Sequence, residues 1–170
     1  MQVDVAHLFP FPLDEFQLDA MKHLEEGKSV IVCAPTGSGK TVVAEYAVEM
    51  ALMSNKRCYY TTPLKALSNQ KLYDLKQKYG EDKVGLLTGD LSVNRDAPIV
   101  VMTTEVFRNM LYGTILGDVS RNLRDVAFVV LDEATAVVSS MSFESAVVSS
   151  SENSLAICAT SVSVNVSGAL

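Results

Sequence analysis

The sequence predicts an α/β fold, a mostly parallel, doubly wound sheet covered by helices, and three observations predict it. Short apolar runs rich in Val, Ile and Tyr alternate with segments of helical length, the pattern of successive βαβ units. The run Ser29-Val30-Ile31-Val32-Cys33 opens into a loop of small residues, and residues 42–53 then continue without Pro or Gly. Residues 126–131, Val-Ala-Phe-Val-Val-Leu, are apolar at every position, as a strand buried on both faces requires, and they end on Asp132-Glu133.

Taken in order, Leu8-Phe9-Pro10-Phe11-Pro12 forms an extended, proline-restricted lead-in. A helix is expected over residues 13–26, with Phe16, Met21 and Leu24 apolar and Gly27 placed to cap it. Strand 29–33, the small-residue loop and helix 40–53 follow. Residues 57–61 read as a second strand, and 64–79 as an amphipathic helix with Leu64, Leu67, Leu72 and Leu75 at helical spacing, closed by Gly80. Two short strands, 84–87 and 99–102, flank a polar turn at Gly89-Asp90. A helix over 104–111 leads toward the strand at 126–131. In such a sheet a ligand sits at the carboxyl ends of the strands.

Composition breaks after Glu133. Residues 134–170 contain no Lys, Arg or Pro, and eleven of these thirty-seven residues are Ser. Residues 154–158 still read as a central strand. Val162, Val164 and Val166 alternate with polar residues, the period of a strand with one buried face, and at the rim of the sheet it offers an uncharged edge for self-association.

With 170 residues, 48% hydrophobic and 20% charged, the chain reads as one domain of ordinary α/β composition. No apolar stretch is long enough to span a bilayer, Glu45 and Glu49 interrupting the helix after the small-residue loop, so no membrane partner is expected. Residues 1–15 carry acids and no basic segment, the opposite of a secretory leader, which places the protein inside the cell. Cys33, Cys58 and Cys158 lie far apart without a CxxC pair and read as small hydrophobes in a reducing compartment. The net charge of −6 argues against a generic polyanion binder. Residues 56–83 nevertheless hold seven Lys/Arg against three Asp/Glu, which is either a solvated helix face or a patch that tracks phosphates.

The loop Ala34-Pro35-Thr36-Gly37-Ser38-Gly39-Lys40-Thr41 lies between a strand and a helix. There, small residues let backbone N–H groups curl round a phosphate, and the helix N-terminus favours negative charge. Lys40 is placed to reach the β- and γ-phosphates of a nucleotide, and the Thr41 hydroxyl to ligate Mg²⁺. Asp132-Glu133 supplies what such a loop needs opposite it. Asp132 would hold Mg²⁺ through water, and Glu133 would orient or deprotonate the water that attacks the γ-phosphate.

These stretches together resemble superfamily 2 helicases, specifically the superkiller-like DExH RNA helicases, with the cyanobacterial and plastid members most similar. Residues 9–17, ending in Phe16-Gln17, are similar to the family's adenine-recognising segment, which makes Gln17 the base reader. APTGSGKT at 34–41 resembles motif I. Thr61-Thr62-Pro63-Leu64-Lys65-Ala66-Leu67-Ser68-Asn69-Gln70-Lys71 resembles motif Ia. Leu87-Thr88-Gly89-Asp90 and Met102-Thr103-Thr104-Glu105 resemble the motif Ib region. The resemblance implies a three-layer, RecA-like P-loop NTPase fold with ATP and Mg²⁺ as cofactors. It also implies sequence-independent contact with single-stranded RNA through Pro63, Leu64, Lys65, Asn69, Lys71, Gly89, Asp90, Thr103, Thr104 and Glu105. By the same resemblance Lys40, Asp132 and Glu133 carry hydrolysis, in the cytoplasm of a bacterium or the stroma of a plastid.

The match is tight over about residues 8–133, so residues 1–133 read as the ATP-binding lobe and 134–170 as a diverged, Ser/Val-rich end of the same lobe. Where the family reads Asp-Glu-x-His, this sequence has Asp132-Glu133-Ala134-Thr135. Cys158-Ala159-Thr160 stands where Ser-Ala-Thr is expected, and Phe143-Glu144-Ser145 echoes a family helix. Nothing resembles the family's second lobe and its arginines, so two readings stand: the first lobe of a helicase, incomplete for unwinding alone, or a diverged, non-catalytic binder of nucleotide or RNA. A P-loop kinase or small GTPase is disfavoured, since Thr62-Pro63-Leu64-Lys65 has no role there and no Asn-Lys-x-Asp motif occurs.

Overall fold

The computed structural model describes residues 5–112, 123, 125–133, 145–148 and 154–159. Its elements are α1 (Val5–Leu8), α2 (Glu15–Glu25), β1 (Ser29–Cys33), α3 (Lys40–Met53), β2 (Arg57–Thr62), α4 (Lys65–Tyr79), β3 (Val84–Leu87) and β4 (Ser92–Val93). They continue with β5 (Ile99–Thr103), α5 (Thr104–Tyr112), β6 (Val126–Leu131), β7 (Ser145–Val148) and β8 (Ser154–Ala159). The strands form one sheet in the order β4-β3-β5-β2-β6-β8-β1-β7. β3, β5, β2 and β6 run parallel, as do β1 and β7.

Alternation along each strand divides the core between the two faces of the sheet. Val30, Val32, Cys58, Tyr60, Ile99, Val101 and Val130 join one buried cluster with α2, α3 and Leu75 of α4. Ile31, Tyr59, Val100, Met102, Val129 and Leu131 join another with Phe107 of α5. Because α3 meets the sheet through Val43, Ala44, Ala47, Val48 and Ala51, its small side chains let it pack close to the strands. Tyr46, fully buried on the same helix, donates its hydroxyl to Glu25 and ties α3 to α2. Truncating a residue as enclosed as Leu24 of α2, 1% exposed, to Ala costs about 2–5 kcal/mol in cores of this density.

α4 corrects the expected amphipathic face. Leu64 and Leu67 are 62% and 37% exposed, and the buried face runs instead through Ser68, Leu72, Leu75 and Tyr79. The helix begins only at Lys65, with Leu64 extended as its cap residue, and the Ser68 hydroxyl docks on the Thr62 hydroxyl at 2.6 Å. With Leu72, Leu75 and Tyr79 packed on the core and Ser68 on Thr62, Leu64 and Leu67 face outward.

Two elements depart from a purely parallel sheet. The turn at Gly89-Asp90 carries β4 back against β3, the Thr88 N–H donating to the Leu91 carbonyl at 2.8 Å. β8 lies between β6 and β1, central as expected, but antiparallel to both. Residues 162–167, expected as an edge strand, lie outside the described residues, as do Ala134, Thr135, Phe143, Glu144 and Thr160.

Gly85 is fixed by contact between strands. A Cβ built there would meet the Asn94 carbonyl oxygen at 2.0 Å, a backbone atom that cannot swing aside. Gly85→Ala is expected to push β4 off β3 and to destabilise the protein by about 1–3 kcal/mol, read as a lower urea midpoint.

Candidate functional site

The parallel strands bring the sequence-predicted residues to one rim. Thr62 of β2 pairs with Thr103 of β5, Leu87 of β3 with Met102, and Thr61 with Leu131 of β6. The loops after β2, β3, β5 and β6, carrying Pro63–Lys65, Gly89-Asp90, Thr104-Glu105 and Asp132-Glu133, therefore leave the same edge of the sheet. β8 pairs Cys33 with Ser154 and Leu131 with Ala156, so β1 also delivers its loop to that edge. Two sheet steps of about 4.8 Å separate β1 from β6, so the strand ends that carry the small-residue loop and Asp132 lie roughly 10 Å apart.

The loop after β1 has the backbone of a phosphate cradle. Gly37 and Gly39 take φ of 82° and 83°, left-handed values that glycine adopts without steric cost. The Ser38 N–H turns back to the Pro35 carbonyl at 3.2 Å, and Gly39 caps α3 from the left-handed conformation. Pro35, Thr36, Gly37 and Thr41 are exposed, while the Ser38 hydroxyl is buried with no partner among the described residues. A buried hydroxyl facing no partner is costly unless a ligand atom satisfies it. The Lys40 ammonium donates to the Ala34 and Pro35 carbonyls, the latter at 2.9 Å, and its third N–H remains for a phosphate oxygen.

Gln17, 4% exposed, is built into the loop. Its Oε1 accepts from the Asp14 N–H at 2.9 Å at the start of α2, and its Nε2 donates to the Gly39 carbonyl at 3.0 Å. The approach is so close that a Cβ on Gly39 would stand 2.6 Å from Nε2. Phe16 beside it packs half-buried against the core. The amide of Gln17 thus fixes where the loop sits, whatever else it touches.

Asp132 is half-buried at the end of β6. Its Oδ2 accepts the Tyr60 hydroxyl at 2.9 Å and its Oδ1 the Glu133 N–H at 3.1 Å, while its own N–H donates to the Thr61 carbonyl at 3.0 Å. Glu133 makes that bond from φ of 53°, a conformation that strains a residue with a Cβ, and its carboxylate stands exposed. Burial first, and then the Asp132 charge, push the Tyr60 pKa well above its ordinary value, so the hydroxyl remains a donor. Among the described residues no three His, Cys, Asp or Glu cluster as a closed metal site. One carboxylate and one hydroxyl beside a phosphate loop suit Mg²⁺, which takes few protein ligands and keeps water and phosphate oxygens.

The basic stretch is largely engaged within the lobe. Lys65 pairs with Asp90, Lys76 with Glu81 and Lys78 with Glu45, and Arg57 donates to the Ala97 and Arg95 carbonyls. Lys71 lies with its ammonium 5.2 Å from the centre of the Tyr60 ring. The structure thus joins Lys65 of the first candidate nucleic-acid segment to Asp90 of the second. The Lys65 ammonium, and then the Thr88 hydroxyl, hold the exposed Asp90 carboxyl below the usual carboxylate range. Asn69 and Glu105 are exposed, and Thr103 and Thr104 half-buried at the β5–α5 junction. Burial pushes the Cys58 thiol up to about 12, in keeping with a small hydrophobe. β8 places Cys158 and Ala159 beside Val129 and Phe128, away from the rim that carries Asp132, because the strand runs opposite to its neighbours.

Sequence reasoning passed over Tyr60, the residue that grips Asp132. A tyrosine in the middle of a buried strand was the available signal, since a buried phenol requires a hydrogen-bond partner.

A phosphate loop after β1, an acidic pair after β6 and helices on both faces define a RecA-like P-loop NTPase lobe. The chain matches the DEAD/DEAH box helicase family over residues 14–163 and belongs to it. Its relatives are Ski2- and Mtr4-like DExH RNA helicases. It is 60% identical to the probable helicase HelY of Mycobacterium tuberculosis over 73% of this chain and 13% of that protein. It is 50% identical to the antiviral helicase SKI2 of Saccharomyces cerevisiae over 75% of this chain and 10% of that protein. The chloroplastic DExH-box ATP-dependent RNA helicase DExH15 of Arabidopsis thaliana is 47% identical over 76% of this chain and 11% of its own length. The chain therefore spans about a tenth of the length of these relatives, in their N-terminal part. Among solved structures, a hypothetical ATP-dependent RNA helicase from Sulfolobus tokodaii matches with TM-score 0.55 and 25% identity, covering 79% of this chain and 41% of that one. The helicase MrfA, bound to DNA and AMPPNP, matches with TM-score 0.56 and 24% identity, covering 71% and 19%, and supports the fold.

Gln17→Glu would set a carboxylate oxygen against the Gly39 carbonyl in a buried site. The expected cost is about 1–3 kcal/mol near pH 8, by thermal unfolding. Because the introduced carboxyl is protonated more readily in that site, its folded pKa is raised and the deficit should shrink toward about pH 5.

Proposed function

We propose that this chain is the ATP-binding first lobe of an ATP-dependent RNA helicase. In this reading it binds ATP·Mg²⁺ at the loop after β1 and the backbone of single-stranded RNA, irrespective of sequence, along the rim formed by α4, the Gly89-Asp90 turn and the β5–α5 junction. The observation that carries the reading is the meeting of the glycine loop, braced by Gln17, and the Asp132-Glu133 pair at one edge of the sheet. Lys40 exchanges part of its hold on the loop carbonyls for phosphate oxygens. Thr41 directly, and Asp132 through water, would hold Mg²⁺, which would supply charge neutralisation at the phosphates. Glu133 orients the attacking water, and Phe16-Gln17 bounds the base.

RNA contact in this reading relies on Lys65 leaving Asp90 for a phosphate. An exposed ion pair adds little to stability, so the exchange is cheap. Unwinding requires a second RecA-like lobe, whose arginine contributes about 10³–10⁵ to hydrolysis in related NTPases. These residues alone would bind nucleotide weakly and turn it over little. We place the protein in the bacterial cytoplasm or plastid stroma.

A non-catalytic nucleotide- or RNA-binding role is the second reading. Thr135 in place of the family's His favours it, as does the reversed β8, which keeps Cys158 from the position of the expected Ser. An ATPase rate that RNA stimulates supports the motor lobe, and a rate indifferent to RNA supports the second reading.

Lys40→Ala is expected to weaken binding of a fluorescent ATP analogue by at least about tenfold while leaving the fold intact by circular dichroism, since it removes the ammonium at the loop that would pair with the phosphates. RNA affinity should fall steeply between about 50 and 200 mM salt, and Lys65→Ala should flatten the slope of log K against log salt by roughly 0.7, the value for one lost single-strand phosphate contact.

A further inference from the structure

We propose that Tyr60 is the positioning residue of the site, its hydroxyl holding the Asp132 carboxylate in the orientation that receives the hydration shell of a divalent cation. The proposal rests on the reading of Asp132 as the carboxylate that holds the metal.

Asp132 follows the last residue of β6 and is half-open to solvent. A carboxylate in that position rotates freely about its side-chain bonds unless both oxygens are held. Here each takes one donor, Oδ2 from Tyr60 at 2.9 Å and Oδ1 from the Glu133 N–H at 3.1 Å. Each oxygen retains a lone-pair site, enough to accept two metal-bound waters.

Of the two donors, Tyr60 is the rigid one. The residue is 1% exposed and comes from β2, paired on both sides with β5 and β6, so the backbone that carries it is held by two ladders of hydrogen bonds. α4 presses on the ring from the outside, with Lys71 above its face at 5.2 Å. The other donor, Glu133, belongs to a strained turn at the surface. Residues that hydrogen-bond to metal-holding groups fix the geometry of those groups, and losing one typically lowers metal affinity about 10–100-fold. A phenylalanine would fill the same space, so packing alone leaves the hydroxyl unexplained.

The experiment uses the full chain and a fluorescent ATP analogue, titrated first in EDTA and then with Mg²⁺. Tyr60→Phe is expected to bind the analogue in EDTA as the unmodified protein does, and to need about tenfold more Mg²⁺ to reach half of the metal-dependent change. On an Asp132→Ala background the same substitution should have no further effect. A Mg²⁺ midpoint within about twofold of the unmodified protein, or an effect of equal size when Asp132 is already gone, overturns the assignment. A readout without substitution covers the case in which Tyr60→Phe does not fold. With carbon-13-labelled tyrosine in the unmodified protein, one ring signal should move when Mg²⁺ joins the nucleotide-loaded chain and stay fixed when nucleotide binds in EDTA. No ring responding to Mg²⁺ overturns the proposal. Nucleotide binding that is absent, or unaffected by Lys40→Ala, overturns the underlying reading and the proposal with it. Intact Lys40-dependent binding with no effect of Tyr60 overturns the proposal alone.

Discussion

The parallel pairing of β2 with β5 on one side and β6 on the other is the constraint on which the rest of the molecule depends. Parallel strands cannot be joined by tight turns, so each must be followed by a crossover, and every crossover starts from the same edge. A chain with this pairing therefore delivers its loops to a common rim. The chemistry follows from what those loops carry: small residues and a lysine after β1, a lysine-bearing helix after β2, acids after β6. Tyr60 and Thr61, adjacent in β2, show how closely the sheet and the site are joined. Tyr60 reaches the Asp132 side chain, and the Thr61 carbonyl reaches the Asp132 backbone N–H.

Much of this was legible in the sequence, for reasons that differ by element. β1, α3, β2, β5 and β6 have local patterns that leave little choice: β-branched, aromatic and apolar runs for buried strands, and fourteen residues without Pro or Gly for α3. Where tertiary contact decides, the sequence was mute or misleading. Leu64 and Leu67 have helical spacing, but with Leu72, Leu75 and Tyr79 packed on the core and Ser68 on Thr62 they face solvent. The two-residue β4 is too short to show a period and exists because Gly85 lets its backbone approach. The direction of β8 has no signature in Ser154-Leu155-Ala156-Ile157-Cys158, since alternation reads the same from either end.

The site divides in the same way. Lys40, Thr41, Asp132 and Glu133 were visible because a spacing and a flanking strand carry them. The placement of Gln17 against Gly39 spans twenty-two residues and becomes evident only when α2 lies beside the loop. The surplus of positive charge at 56–83 was correct as a count, but it said nothing of the acids each lysine meets. Folding brings Asp90 and Glu45, from outside that stretch, to Lys65 and Lys78, so the face is closer to neutral than its sequence.

β1 hydrogen-bonds in the sheet to β7 and β8, segments more than a hundred residues further along the chain. The strand that bears the phosphate loop is thus the last of the parallel set to gain sheet partners as the polypeptide emerges from a ribosome. Closing so long a stretch is slow relative to the local pairing of β2, β3 and β5. Assembly then has a built-in order: the rim formed by β2, β3 and β5 consolidates from neighbouring segments, while the glycine loop waits for β7 and β8 to pair with β1. A chain interrupted before that point would carry its glycine loop on a strand packed against α2 but without a sheet partner.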